Sequence, residues 1–336
     1  MSQDFTSSRF IDTNPLEVDL AIIGAGPSGI YASYYAGFRG LSTAILDSLP
    51  KPGGQLSTLY PEKYIYDVAG FFAIRGRELV QQLLDQAAQF NPIYLLENQA
   101  ITLSGQVGQF SITTSTGTTL NAKAILITTG IGTFTPRYLP AANTFKGEGI
   151  SYFVSDPTQY KGKDVVIVGG GDSAFDWALS LEKLANSVTL IHRRDRFRAH
   201  ANTVSQVLAS SVQILPFNEI QNLLGEQTIE AIQVKDVKTG KVSWIETEAI
   251  IAALGFLAEL GPIANWGIDI QDNRIVVNSS MSSTRKGIFA AGDISTYPGK
   301  VRLISVGFGE AATAVNNLAV TIDPSICLAP GHSSDK

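Results

Sequence analysis

The stretch Val18-Asp19-Leu20-Ala21-Ile22-Ile23-Gly24-Ala25-Gly26-Pro27-Ser28-Gly29 places an apolar run directly before three glycines spaced for a turn from strand into helix. The run reads as a buried parallel strand, and residues 28–38 as the helix after it. In such a turn Gly24 permits the tight bend, Gly26 lets backbone approach a pyrophosphate, and Gly29 lets helix and strand pack closely. Pro27 and Ser28 open the helix, whose free N–H groups and positive dipole end suit phosphate. Residues 42–47 read as the second strand and complete a βαβ unit.

The pattern recurs. Val165-Val166-Ile167-Val168 leads into Gly169-Gly170-Gly171-Asp172-Ser173-Ala174, with alanine at the close-packing position, and residues 173–184 read as a helix. Each copy has a later apolar strand closing on glycine: 124–129 before Gly130, and 249–254 before Gly255. Alternating segments at 100–103 and 110–114 predict a meander in the first copy, and 232–237 with 243–245 predict a hairpin in the second. Such self-similarity points to duplicated nucleotide-binding domains. A further strand, 287–291, runs into Gly292-Asp293 and precedes a helix at 307–319. Left over after the second copy, these two elements are expected to return to the first domain. The fold class expected is therefore α/β, with two Rossmann-like dinucleotide-binding domains, the second inserted in the first. Residues 1–128 and 287–336 would form the first of these domains with a C-terminal tail, and 129–286 the second, with two chain crossings as a hinge.

The residues after each second strand separate the ligands. In the first copy Asp47 stands where a carboxylate accepts hydrogen bonds from a ribose 2′-OH and repels a phosphate, which suits FAD or NAD. In the second copy the equivalent place reads His192-Arg193-Arg194, with Arg196 and Arg198 close behind. Guanidinium groups grip a 2′-phosphate in bidentate fashion, so this copy is expected to prefer NADP. Asp293, at the end of the late strand, could hold a ribitol hydroxyl of FAD. The next helix would then aim its N-terminus at the flavin N1–C2=O edge and stabilise the reduced flavin.

Composition narrows the classes further. A net charge of −5 argues against general nucleic-acid binding. One cysteine, Cys327, excludes an intramolecular disulfide, a dithiol redox pair and a cysteine-based zinc cluster, and accords with a reducing cytosol. Residues 21–38 carry no charge, but three glycines and Pro27 break the run, so no membrane span is expected. The N-terminal stretch holds Asp4, Arg9 and Asp12 without an apolar core, so no signal peptide is read there.

These residues carry a resemblance. With Gly53-Gly54-Gln55-Leu56, the tyrosine-rich Leu59-Tyr60-Pro61-Glu62-Lys63-Tyr64-Ile65-Tyr66-Asp67-Val68, His192-Arg193-Arg194-Asp195, Phe197-Arg198-Ala199-His200 and Ala291-Gly292-Asp293, the chain resembles the thioredoxin-reductase-like ferredoxin/flavodoxin–NADP⁺ reductases over nearly its whole length. Thioredoxin reductase itself carries a Cys-x-x-Cys pair shortly before its second glycine turn. This chain reads Ser151-Tyr152-Phe153-Val154-Ser155-Asp156 there, which closes disulfide reduction by that route. The resemblance implies a cytoplasmic homodimer that moves hydride between NADPH and FAD and single electrons to or from ferredoxin or flavodoxin. It implies cofactor contacts from Gly54, Gln55 and Gly130. It further implies that Tyr60 stacks on one face of the flavin ring and that His332, in the tail, covers the other face from the partner subunit. Two other readings stay open at this point: hydride delivery to a quinone or other small acceptor, and a flavin-binding sensor without productive hydride transfer.

Overall fold

The structure is a computed structural model that describes residues 15–59, 61–154, 156–329 and 331; for 133–135 and 256–258 it describes the backbone alone. The chain divides into two compact units. One comprises residues up to Thr133 and from Ala258 onward, the other Phe134–Leu257.

In the first unit β1 (Leu16–Ile23) runs into α1 (Pro27–Phe38) and back to β2 (Thr43–Leu46). Helix α2 (Gly76–Ala88) crosses to β3 (Ile93–Leu95), and a meander of β4 (Ala100–Gln106), β5 (Gln109–Thr114) and β6 (Thr119–Ile127) comes next. The sheet order is β3-β2-β1-β6-β5-β4. All four residues of β2 and the last four of β1 and of β6 are buried, as strands covered on both faces require. Strand β6 starts at Thr119, ahead of the strand expected over 124–129. Its start pairs antiparallel with β5, as Ala122 opposite Phe110, while its end lies parallel to β1, as Leu126 opposite Ile22.

The second unit holds β7 (Asp164–Val168), α3 (Asp172–Leu181), β8 (Ser187–His192), α4 (Ala201–Leu208), β9 (Gln213–Pro216), β10 (Asn218–Leu224), β11 (Ala231–Asp236), β12 (Val242–Glu246) and β13 (Ala249–Ala252). Its parallel sheet runs from the two-residue strand Ile150–Ser151 through β13, β7 and β8 to β9, and β10-β11-β12 form an antiparallel sheet. The expected hairpin is β11–β12; β10 on its other edge, with α4 and β9, has no counterpart among the expected elements. β9 and β10 lie in mixed polar sequence whose burial is too partial to leave a clear period, and α4 is only eight residues long.

The chain then returns. β14 (Ile288–Ala290) pairs parallel with the end of β6, and α5 (Ile304–Ile322) comes after it. The contact division departs from the expected boundaries: it falls at 133/134 rather than 128/129, and at 257/258 rather than 286/287. Residues 258–286 belong with the first unit because Trp266 is buried in the core that contains Leu20 and Ile125. Arg285 also ties them down, donating from Nη1 to the Trp266 carbonyl at 2.5 Å and from Nη2 to the Gly105 carbonyl at 2.8 Å. The strand Arg274–Val276 lies parallel to Ser295–Thr296. That segment is rich in turns and has no long apolar run, so its sequence does not show which core it joins. Among the described residues no helix is long and apolar enough to cross a membrane.

Backbone bonds beyond the strands draw the carboxyl ends of β1, β2, β6 and β14 together. Gly24 N–H donates to Leu46 O at 2.8 Å, Thr128 N–H to Ile23 O at 2.7 Å, and Ala291 N–H to Ile127 O at 3.0 Å. Open α/β sheets bind their ligands at these ends. The sheet that places them rests on its buried centre, so Leu126→Ala is expected to lower stability by about 2–5 kcal/mol, read as a lower denaturant midpoint with an unchanged slope.

Candidate functional site

In the first unit the glycine turn is fixed from below and open above. Gly24 lies at φ +110°, where a Cβ would come within 2.7 Å of the Thr128 carbonyl oxygen. A Cβ on Gly29 would overlap the Gly24 carbonyl oxygen. A Cβ on Gly26, by contrast, would meet nothing within 4 Å. Gly26 caps α1 without any side-chain hydrogen bond, so the N–H groups of the first turn face that open space without a capping side chain.

Other predicted residues gather around this opening. Gly53 N–H donates to Ala25 O at 2.7 Å, and a Cβ on Gly54 would lie 3.2 Å from Gly26 Cα. Gln55 Nε2 lies 3.2 Å from where a Cβ on Gly130 would stand. From the other side, Cβ atoms on Gly292 and Gly307 would come within 2.9 and 2.5 Å of Ser28 Oγ, which sets Asp293 and the start of α5 beside the start of α1. Among the described residues no protein group is hydrogen-bonded to the Asp293 carboxylate. Thr129, whose Cα would lie 2.9 Å from a Cβ on Gly24, has an Oγ1 that is buried with no hydrogen-bond partner among them. An open glycine cradle, uncapped N–H groups and an orphaned hydroxyl form a donor set that fits a dinucleotide.

Asp47 has a structural role that the sequence did not announce. Its Oδ2 accepts from Ala25 N–H at 2.7 Å and its Oδ1 from Leu49 N–H at 2.9 Å, so it braces the glycine turn. Burial pushes its pKa above the ordinary carboxylate value, against the backbone N–H groups of Leu49, Ala25 and Ser48, which favour the charged form. A carboxylate has about four acceptor positions, so acceptor capacity remains for ribose hydroxyls.

The second unit repeats the opening. Gly171 caps α3 without a side-chain bond, and a Cβ there would meet nothing within 4 Å. Gly169 presses on Ala174, whose Cβ would lie 3.0 Å from one placed on the glycine, and on the Ala253 carbonyl. Asp172 accepts from His200 N–H at 2.9 Å, and Arg198 N–H donates to Gly170 O at 2.7 Å. The basic loop is thereby fastened to the glycine turn, which gives Asp172 a role in the loop's geometry. Ser173 lies next to it in the first turn of α3. Arg193, Arg194 and Arg198 are exposed, and among the described residues none of their guanidinium groups is ion-paired.

His192 has a place that its position at the end of a strand does not announce. Its ring lies under the glycine turn, with Nε2 2.6 Å from where a Cβ on Gly170 would stand. Burial, together with the charges of Arg193, Arg194 and Arg198, lowers its pKa against a hydrogen bond that the ring donates to the Arg196 backbone carbonyl, so the imidazole is neutral at pH 7. Tyr60 and His332, the two expected flavin-stacking residues, lie outside the described residues, as does Ser155. The backbone on either side of Tyr60 is anchored: Leu59 N–H donates to Gln55 O at 2.8 Å, and Arg77 N–H to Pro61 O at 3.0 Å.

Two supporting residues escaped the sequence reading. Thr128 donates from Oγ1 to Gly24 O at 2.8 Å. Glu310 is buried in α5 and accepts from the Gly292 N–H at 2.7 Å. Glu310 is the only charged residue in an otherwise apolar and small-residue helix, and that isolation was the available signal.

Residues 18–316 match the pyridine nucleotide-disulphide oxidoreductase family. The chain is 54% identical over 316 residues to the ferredoxin–NADP reductase of Frankia casuarinae, covering 94% of this chain and 98% of that protein. It is 44% identical over 324 residues to the ferredoxin–NADP reductase of Thermus thermophilus, covering 95% and 97%. Among solved structures it is similar to thioredoxin reductase from T. acidophilum, with TM-score 0.75 at 27% identity, covering 90% of this chain and 98% of that one. It is likewise similar to thioredoxin reductase from Lactococcus lactis, with TM-score 0.76 at 25% identity, covering 91% and 99%.

The contrast between two glycines gives a test of the cradle. Gly26→Ala, which adds a methyl group to open space, is expected to leave the thermal midpoint unchanged while weakening FAD binding to the apoprotein at least tenfold. Gly29→Ala, which drives a methyl group into backbone, is expected to destabilise the protein by about 1–3 kcal/mol. Fluorescence titration of FAD beside thermal denaturation separates the two.

Proposed function

We propose that this chain, which belongs to the pyridine nucleotide-disulphide oxidoreductase family, is a ferredoxin–NADP reductase that binds FAD in its first unit and NADPH in its second. The observation that carries this reading is the difference in charge at two otherwise alike openings. A half-buried carboxylate, Asp47, braces the first, and three exposed guanidinium groups without ion-pair partners among the described residues stand on a loop fastened beside the second. The first excludes an extra phosphate and the second attracts one. A dithiol is missing from the choice of acceptor, because the sequence holds one cysteine, exposed Cys327. The relatives' name supports a protein carrier, ferredoxin, with flavodoxin as the alternative of the same kind.

Bound FAD supplies the capacity to take a hydride pair from a nicotinamide and release electrons one at a time. The chain's part is binding, orientation and exclusion of water. Gly24, Gly26, Pro27, Ser28 and Gly29 bring the N-terminus of α1 to the pyrophosphate, Asp47 receives ribose hydroxyls, and Gly54, Gln55 and Gly130 close the sides. Asp293 receives a hydroxyl of the ribitol chain. On the NADPH side, Gly169, Gly171, Asp172, Ser173 and Ala174 present the N-terminus of α3, and Arg193, Arg194 and Arg198 take the 2′-phosphate. Tyr60 covers one face of the flavin ring. His332 covers the other from a partner subunit, in a cytoplasmic homodimer. In support of that arrangement, Arg39 beyond the C-terminal end of α1 holds the tail, donating from Nη1 to Leu328 O at 3.0 Å and from Nη2 to Cys327 O at 2.8 Å. The tail is thus tied beyond the end of α1 opposite the glycine turn of its own subunit. The FAD-binding domain, in this reading, comprises residues 1–133 and 258–336, and the NADP(H)-binding domain residues 134–257.

Anaerobic titration with NADPH and then NADH is expected to bleach the flavin absorption quickly with the first and slowly with the second. Arg193→Ala and Arg194→Ala are each expected to weaken NADPH about tenfold or more while leaving NADH nearly unchanged, since a hydrogen bond to a charged group is worth about 1.5–3 kcal/mol. Turnover with quinones and none with ferredoxin or flavodoxin would remove the protein carrier from the proposal.

A further inference from the structure

One charged cluster has no part in the cofactor contacts. Glu310 and Lys300 are both buried, with side chains 4% and 6% exposed, and form an ion pair. Both grip the same glycine. Glu310 Oε2 accepts from the Gly292 N–H at 2.7 Å, and Lys300 Nζ donates to the Gly292 carbonyl at 3.0 Å. The hydroxyls of Ser295 and Tyr297 complete the carboxylate's shell, at 3.3 Å to Oε2 and 2.6 Å to Oε1. Burial and the neighbouring carboxylate push the Tyr297 phenol up to about 12, so it remains a donor throughout the working range. Ser295 Oγ also lies 2.8 Å from the Gly292 carbonyl oxygen.

Stability alone is a weak account of this arrangement. Buried ion pairs are often replaceable by apolar residues at no loss, because desolvation offsets their attraction. What an apolar pair would not supply is a fixed orientation of one stretch of backbone. Gly292 stands at φ +79°, a left-handed conformation in which a Cβ would also crowd Ser28 Oγ. This glycine leads directly into Asp293. A carboxylate on its N–H and an ammonium on its C=O hold it from both polar ends, and the two charges cancel close to the opening at α1.

We infer that Glu310 and Lys300 are a positioning pair, which fixes the Gly292–Asp293 turn against the start of α1 while placing no net charge beside the flavin. The inference rests on the reading of Asp293 as a flavin-site residue. Removing one member leaves the other's charge uncompensated in a buried place. An unpaired ammonium favours the electron-rich reduced cofactor, and an unpaired carboxylate favours the oxidised one.

The test is the midpoint potential of bound FAD in Glu310→Gln, Lys300→Met and the double variant, measured against a reference dye with a reductant other than NADPH. Glu310→Gln is expected to shift the reduced-to-oxidised ratio at least threefold upward, Lys300→Met at least threefold downward, and the double variant to return within twofold of the parent. Single variants that shift the ratio in the same direction, or not at all, would overturn the inference. Tyr297→Phe guards against single variants that fail to fold, since it removes one donor from Glu310 and leaves both charges. It is expected to release FAD at least threefold faster, and an unchanged release rate counts against the pair. Failure of NADPH to bleach the parent protein would strike the proposed function and leave these potentials readable.

Discussion

The closeness of α1 to the strand before it is the constraint on which the first unit turns. Gly29 sits so near Gly24 that any side chain there would overlap the Gly24 carbonyl, and Thr128 Oγ1 bonds the same oxygen from the end of β6. This contact fixes the end of β1, the start of α1 and the end of β6 as one piece. The helix N-terminus then opens toward Gly26, where the backbone is bare. The second unit reaches a similar opening with Ala174, because its close contact falls between Gly169 and that methyl group. One extra carbon is accommodated there, and an open face at Gly171 is still produced.

With geometry so alike in the two units, charge makes the distinction. Asp47 is half-buried and tied to the backbone of its own turn, so its acceptor groups are held at a set place. The guanidinium groups of Arg193, Arg194 and Arg198 stay exposed, and it is their loop that is tied down, through Gly170 and Asp172. A rigid acceptor suits hydroxyl groups, which need direction. Exposed cations on an anchored loop suit a phosphate, which accepts from several directions. The neutral imidazole of His192 beneath the turn adds no charge at neutral pH and fills the space a side chain at position 170 would need.

Polar groups placed inside the apolar core do the remaining work. Glu310, Lys300, Ser295 and Tyr297 satisfy one another and the backbone of Gly292, so the turn bearing Asp293 is held without relying on a ligand. Thr129 differs, since its hydroxyl is buried without a protein partner among the described residues. A buried polar group left unsatisfied costs free energy, and a ligand in the adjacent opening is one way to satisfy it.

The sequence by itself determined the two strand–glycine–helix units, the acid after one and the basic loop after the other, and the late strand that returns to the first unit. These are local signals: an apolar run of strand length, a turn that only small residues permit, and a charge at a set distance. It also excluded a dithiol, by counting cysteines. Tertiary structure alone decided that residues 258–286 join the first core, because Trp266 and Arg285 find partners far away in the chain. It decided that Asp47 and Asp172 brace their turns, that His192 lies beneath one of them, and that Glu310 and Lys300 share a glycine. For Arg285, Asp47, Asp172, Glu310 and Lys300 the partner is a backbone group from another segment. Every residue but proline carries the same N–H and C=O, so no residue type in the sequence announces which of them a side chain will reach.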